Sequence, residues 1–227
     1  MTGRRTPPPC AEAGFTPLAG AAWYKRLHAR VLAHAAAHEG YARAVEPAKR
    51  RLLGALRGDV VEIGPGTGVN LPFYDPGIRW TGVEPNGFLH DPIAREATRA
   101  GIAATVVTGT AEQLPLPDDS ADAVVATLVL CTVHDQAATF REIQRVLRPG
   151  GRFVFIEHVA APPGSWTRRV QRLIRPLWSL AADGCQPDRD TLAAIRAAGF
   201  GRVDAESFTV PVPVPVVGPH VAGVAIR

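Results

Sequence analysis

Hydrophobic positions change their period along the chain. Near the N-terminus they recur every four residues. Trp23, Leu27, Val31 and Ala35 share one side, and Lys25, Arg26 and Arg30 lie off it. That spacing predicts a helix from Ala21, interrupted at Gly40, and a second helix over Tyr41–Leu56. Short, nearly continuous apolar runs follow: 59–63, 80–83, 104–107, 122–129 and 152–156. Runs of this length and composition suit strands buried on both faces. Helical stretches at 86–100 and 137–147 separate them, the second closed by Arg148-Pro149-Gly150-Gly151. Strand–helix alternation at this spacing predicts right-handed crossovers and a doubly wound, mostly parallel α/β sheet.

Beyond the fifth strand the rhythm breaks. Residues 160–186 form an insertion. Arg168, Arg169, Arg172 and Arg175 fall on one helical side of it, and Val170, Leu173, Ile174 and Leu177 on another. The arginine side reads either as a solvated face over an apolar packing stripe, or as a lid drawn to an anionic substrate or acidic lipid. A further helix is expected over 190–198, and two closing strands over 201–208 and 221–226. The link Val210-Pro-Val-Pro-Val-Pro-Val216 is expected to be extended, because alternate prolines fix φ and remove donors. Residues 1–20, rich in proline and small residues, read as a disordered tail. Residues 21–227 read as one domain, with a helical lid over 21–56 and a substrate-side insertion at 160–186.

Composition narrows the class. The chain has 227 residues, 46% hydrophobic and 20% charged, which suits a single globular domain. A formal charge of +4 is too small to argue for a nucleic-acid partner. The three cysteines, Cys10, Cys131 and Cys185, are widely spaced and form no CxxC pair, so neither a disulfide framework nor a metal site is expected. No stretch approaches the roughly 18 apolar residues of a membrane span. Met1–Pro9 lacks the apolar core of a signal peptide, so a cytoplasmic protein is expected, with at most peripheral membrane contact.

The chemistry begins at Glu62-Ile-Gly64-Pro65-Gly66-Thr67-Gly68, which follows the first strand. Gly64 and Gly66 allow a sharp turn and close approach of backbone to a ligand. Glu84 stands twenty residues after Gly64, at the end of the second strand, where an acid accepts hydrogen bonds from ribose hydroxyls. The third glycine comes too early for a dinucleotide loop, and position 69 is valine. An NAD-dependent oxidoreductase is therefore the weaker reading. Glu62 is poorly placed beside a pyrophosphate and well placed to hold an ammonium, directly or through water. A ligand with adenosine, ribose and an amino-acid tail but no phosphate is S-adenosylmethionine.

On these residues the chain resembles the class I S-adenosylmethionine-dependent methyltransferases over roughly residues 41–227. Gly109-Thr-Ala-Glu112-Gln-Leu-Pro115 and Leu147-Arg-Pro-Gly-Gly151 extend the resemblance. It implies a Rossmann-like sheet of seven strands, the last antiparallel and inserted beside the fifth. It also implies a cofactor site of Glu62, Gly64, Pro65, Gly66, Thr67 and Asn70 on the loop. Glu84, Pro85 and Asn86 would follow the second strand, Thr110, Ala111 and Glu112 the third, and Thr127 and Leu128 would close the fourth. Tyr24 is a lid candidate. Thr127-Leu-Val-Leu-Cys131, Glu157-His-Val159, Asp183-Gly-Cys185 and Pro219-His220 occur in an order and spacing similar to the methyltransferase-like seven family, which are microsomal thiol S-methyltransferases. That resemblance implies a small-molecule thiol as substrate. The family's apolar N-terminal anchor has no counterpart in residues 1–20.

Candidate acceptor-side residues follow from the same positions. Glu157 and His158 leave the fifth strand at its C-terminal end, where open α/β sheets bind ligands. Alternation points their side chains opposite ways. His158 suits general base work, or is a histidine bonded to backbone at a strand end. Asp183 orients His158 or contacts substrate, or is a cap or ion-pair residue. Cys131 reads as a small buried hydrophobe. Neither Pro-Cys nor Asn/Asp-Pro-Pro-aromatic follows the fourth strand, which counts against nucleic-acid targets. Methylation of oxygen, nitrogen or carbon in a quinone, lipid or polyketide stays open beside sulfur.

Overall fold

The computed structural model describes residues 39–212 and 215–227. Tyr24, the expected tail at 1–20 and the first half of the expected helical lid, residues 21–38, lie outside the described residues. Helix α1 spans Glu39–Leu53. Strands β1 (Asp59–Ile63) and β2 (Arg79–Val83) follow, then α2 (His90–Ala100) and β3 (Ala103–Val107). Next come β4 (Ala121–Thr127), α3 (Gln136–Val146) and β5 (Leu147–His158). Helices α4 (Trp166–Ala181) and α5 (Thr191–Ala197) precede β6 (Arg202–Thr209) and β7 (Pro219–Ile226).

The seven strands form one sheet in the order β3-β2-β1-β4-β5-β7-β6. Every pair from β3 to β5 is parallel, and β7 runs antiparallel to both β5 and β6. The chain leaves β1 toward β2 on one side and returns to β4 on the other. The carboxyl ends of β1 and β4 therefore border the crevice where such sheets bind ligands.

Apolar alternation builds a layer on each face of this sheet. On β1, Val60 joins Leu53, Leu71, Trp80 and Ile93 on one side. Val61 and Ile63 join Phe140, Ile143, Phe153 and Phe155 on the other. Each large side chain fully buried in this way contributes about 1.5–3 kcal/mol relative to exposure. Local signals fix the helix ends. The carboxylates of Asp135 and Asp190 and the hydroxyl of Ser165 accept backbone N–H bonds at the starts of α3, α5 and α4. Gly101 ends α2 at φ +68°.

Several expectations need correction. The fourth strand ends at Thr127 rather than Val129, because Leu128 adopts φ +57° and the next two N–H groups turn to the Glu157 carboxylate. The fifth strand begins at Leu147, which pairs with Ala121 before the register shifts to Ala123–Arg152. The Arg-Pro-Gly-Gly run is thus an irregularity within β5. The proline link ends in a 3₁₀ turn at Pro215–Val217, and the Val210 N–H donates to the Gly218 carbonyl at 2.8 Å.

Helix α4 corrects the packing expectation. Leu173 and Leu177 are 80% and 76% exposed, on a flank shared with Trp166 and Leu180. Gln171 is fully buried instead. Its amide accepts from the Ala161 N–H at 2.8 Å and donates to the Val159 and Val216 carbonyls at 3.3 and 2.7 Å. Hydrogen bonding to otherwise unpaired backbone, not apolar periodicity, sets the inward face.

Candidate functional site

The loop after β1 is turned by three glycines with positive φ, each with different surroundings. A Cβ at Gly64 would meet Val129 Cγ2 at 2.7 Å, and one at Gly68 would meet Leu71 Cδ1 at 2.8 Å and Glu96 Cβ at 3.2 Å. Those two let the loop pack against the neck after β4 and against α2. A Cβ at Gly66 would meet nothing within 4 Å, so its bare face borders open space. Pro65 is buried beneath, and its carbonyl accepts the Gly68 N–H at 2.9 Å; Thr67 is half-buried.

Glu62 lies under this loop and is buried. Asn70 Nδ2 donates to its Oε1 at 2.7 Å; Tyr74 Oη and Trp80 Nε1 donate to its Oε2 at 2.8 and 3.1 Å. Burial pushes its carboxyl above the ordinary value, opposed by those three bonds and by the Lys49 charge. The same Asn70 amide donates to Thr127 Oγ1 at 3.0 Å, so one side chain ties β1 to the end of β4. Asn70 Oδ1 is buried without a partner, an acceptor left for a donor from outside the protein.

Glu84 ends β2 and is buried. Its Oε1 accepts the Asn86 N–H at 2.8 Å, and its Oε2 accepts the Gly66 N–H at 3.3 Å. Burial raises its pKa, and the charge of Asp183 adds to that rise, so Asp183 lies within electrostatic reach of Glu84. Asn86 Oδ1 accepts the Phe88 N–H at 3.2 Å, and Pro85 is exposed. Past β3, Thr110 is exposed, Ala111 is buried, and Glu112 Oε1 accepts the His134 N–H at 2.8 Å. That bond links the loop after β3 to the loop after β4. These residues follow the carboxyl ends of β2 and β3, and Glu84 among them meets the Gly66 N–H.

The acceptor-side residues sit at the ends of β4, β5 and β7. Glu157 is fully buried; its Oε1 accepts the N–H groups of Val129 and Leu130 at 2.9 and 3.0 Å. It thereby holds Leu128 in a left-handed conformation, which costs about 1–3 kcal/mol for a non-glycine residue. Its Oε2 has no partner, and burial pushes the carboxyl up to about 7. His158 Nε2 faces Cys185 Sγ at 3.1 Å, and its Nδ1 is buried without a partner. Its neighbour across the ladder is His220, at a ring-centroid distance of 6.3 Å. His220 Nδ1 lies 2.8 Å from the Gly218 carbonyl and must donate to it. Its buried Nε2 is then an acceptor without a donor. Tyr41 packs on His220 at 5.7 Å, and its buried hydroxyl also lacks a partner.

Sequence reasoning missed four members of this group. Cys131, Cys185 and His220 were visible as parts of motifs, but 54 residues separate the two cysteines. Only the fold brings the turn after α4 against the loop after β4. The Gln186 N–H donates to the Cys131 carbonyl at 3.0 Å. Arg189 Nη1 donates to the Leu130 and Val133 carbonyls at 2.8 and 2.6 Å. Tyr41 gave no signal beyond its place in a predicted helix.

Comparison with known proteins gives a consistent picture. A family model described as a methyltransferase domain matches residues 61–155. Human thiol S-methyltransferase TMT1A is 39% identical over 172 residues, covering 74% of this chain and 70% of that protein. Human thiol S-methyltransferase TMT1B is 37% identical over 197 residues, covering 82% and 80%. Among solved structures, a Thermotoga maritima S-adenosylmethionine-dependent methyltransferase, described as a possible histamine N-methyltransferase, superposes with a TM-score of 0.63. It is 23% identical and covers 89% of this chain and 99% of its own, a likeness of fold.

Proposed function

This chain belongs to the family of S-adenosylmethionine-dependent methyltransferases that includes the thiol S-methyltransferases, and we propose that it methylates the sulfur of a small-molecule thiol. The residues present fit the cofactor. Gly66 leaves its space clear, Glu84 offers two carboxylate oxygens to ribose hydroxyls, and the orphaned Asn70 Oδ1 offers an acceptor to an ammonium. Three protein donors already occupy Glu62, so its part in ammonium binding runs through the orientation of Asn70. Ala111 and Glu112 would border the adenine. When bound, S-adenosylmethionine supplies a methyl group on a sulfonium, so the acceptor's lone pair forms the new bond while the old C–S pair stays with the departing thioether.

The cofactor is already activated, so the protein's main task is to position the acceptor. Glu157 does this through backbone, by fixing the bend at Leu128. His158 marks the acceptor side of the site, and Asp183 lies within electrostatic reach of Glu84. The observation that carries the choice of sulfur is the identity of 39% and 37%, over 172 and 197 residues, to two human thiol S-methyltransferases. The test is incubation with methyl-labelled cofactor and a panel of thiols, phenols and amines, locating the label by mass spectrometry. Label on sulfur is expected. Label on phenols or amines, with the thiols unmodified, would refute the proposal.

A further inference from the structure

Three side chains from separate elements meet at the edge of this site. Cys131 comes from the loop after β4, His158 from the end of β5, and Cys185 from the turn after α4. Their ligand atoms all lie within 4.8 Å of one another, and all three residues are buried. We propose that Cys131 Sγ, Cys185 Sγ and His158 Nε2 bind a zinc ion. Its fourth position takes the acceptor thiolate, a point that rests on the function proposed above.

The donor set favours this ion. Two thiolates and an imidazole suit zinc and exclude the oxygen-seeking magnesium and calcium. Bond lengths of about 2.3 Å to sulfur and 2.0 Å to nitrogen place tetrahedral ligand atoms about 3.5–3.8 Å apart. The His158–Cys185 separation of 3.1 Å and the outer limit of 4.8 Å bracket that spacing. Shifts of about an ångström or less would close the site. Among the described residues no fourth cysteine, histidine or carboxylate joins the group. Three protein ligands with one open position are the pattern of catalytic rather than structural zinc.

The surroundings hold the ligands in place. Trp178 Nε1 donates to Cys185 Sγ at 3.3 Å, and Ser179 Oγ donates to the Cys185 carbonyl at 3.0 Å. The Gln186 N–H bond to the Cys131 carbonyl fixes the two cysteine segments to each other. The guanidinium of Arg189 lies within electrostatic reach of both sulfurs. Two thiolates balance the charge of zinc, and a third from the acceptor leaves one negative charge beside Arg189. The protons of Cys131, Cys185 and the acceptor thiol pass to solvent as the sulfur–metal bonds form, with no oxidation or reduction. After methylation the acceptor is a neutral thioether, a poorer ligand than a thiolate, and it leaves.

Cobalt(II) alone, added to the chelator-treated full chain, is the probe. One equivalent should bind, with a thiolate-to-cobalt charge-transfer band in the near ultraviolet and visible bands of a tetrahedral site. Zinc should displace it, and ethanethiol should shift the visible bands. C131S and C185S should each lose about half of the charge-transfer intensity and at least tenfold in cobalt affinity. Calorimetric binding of S-adenosylhomocysteine identifies variants that are folded, and the parent spectrum decides the matter without any variant. No stoichiometric band, unchanged cobalt binding in folded C131S and C185S, or a Cys131–Cys185 disulfide in the purified chain would overturn the site. Absence of the band while thiols are still methylated would remove the metal and leave the proposed function standing. A cobalt band that ethanethiol leaves unmoved would overturn the assignment of the fourth position.

Discussion

Glu84 and the loop glycines show how single residues divide the labour of the pocket. Glu84 already accepts two backbone N–H bonds, and burial raises its pKa. The ionised form is the one that would accept from ribose hydroxyls in the proposed site. Affinity for S-adenosylhomocysteine should therefore fall on acidification, starting at a higher pH than for an ordinary carboxylate. Glu84→Gln should weaken binding at pH 8 by about 1–3 kcal/mol and flatten the pH profile. Calorimetry at pH 8 and pH 5 checks both, and a parent affinity independent of pH would contradict the assignment. The glycines should separate binding from folding. Gly66→Ala places its Cβ in open space but must hold φ +59°, so it should cost cofactor affinity with a stability loss limited to the left-handed strain, about 1–2 kcal/mol. Gly68→Ala drives its Cβ into Leu71 and α2, so it should destabilise the fold by more than that. Urea melts and cofactor titrations of the two variants give the comparison; identical profiles would refute the division.

Elements differ in how far the sequence revealed them. Strands β1, β2, β4 and the central part of β5 were legible because burial on both faces writes a nearly continuous apolar run, whereas the edge strand β3 is largely exposed and was read from its short Ala-Thr-Val-Val composition. The backbone of the proposed pocket was legible too, since the turn at Gly64 and Gly66 and its meeting with Glu84 follow from local spacing. The end of β4 was not legible: Val129 and Leu130 look like strand, and a carboxylate 27 residues beyond Leu130 takes their N–H groups. Helix α4 misled for a related reason. Its leucines are periodic, but Gln171 satisfies three buried backbone groups and so faces inward. The double variant Leu173→Asn, Leu177→Asn should therefore change stability by no more than about 1 kcal/mol, within the usual range for two surface substitutions. Gln171→Leu should cost about 1–3 kcal/mol for each backbone group left unpaired. Chemical denaturation measures both, and a larger loss in the leucine variant would contradict the orientation of the helix.

At the scale of the whole molecule, stability and chemistry sit at opposite ends of the sheet. The amino-terminal edge carries Asp59, bridged by Arg79 at 2.6 Å and by Arg148 at 2.9 Å, with Arg148 also on Asp122 at 2.7 Å. The hydrogen bond from Arg79, helped by that from Arg148, holds the Asp59 carboxyl below its ordinary value. A lowered folded pKa means that the contribution is fully present above the unfolded value of about 3.9 and is lost as pH falls through the folded one. The stability gap between the parent and Asp59→Asn should shrink below about pH 4; a gap that widens on acidification would be the wrong sign. The carboxyl edge instead gathers buried polar atoms without partners: Asn70 Oδ1, Glu157 Oε2, His158 Nδ1 and His220 Nε2. Such atoms are costly for folding alone, and their concentration marks where ligands belong. The cluster of Cys131, His158 and Cys185 belongs to this scale, because only the assembled fold joins residues 54 positions apart.

The account stands on the identity of the acceptor atom. Its most direct measurement is the initial rate with S-adenosylmethionine and three acceptors of one carbon skeleton: an alkyl thiol, the matching alcohol and the matching amine. The thiol should be methylated at least a hundredfold faster than either. A faster alcohol or amine would contradict the account.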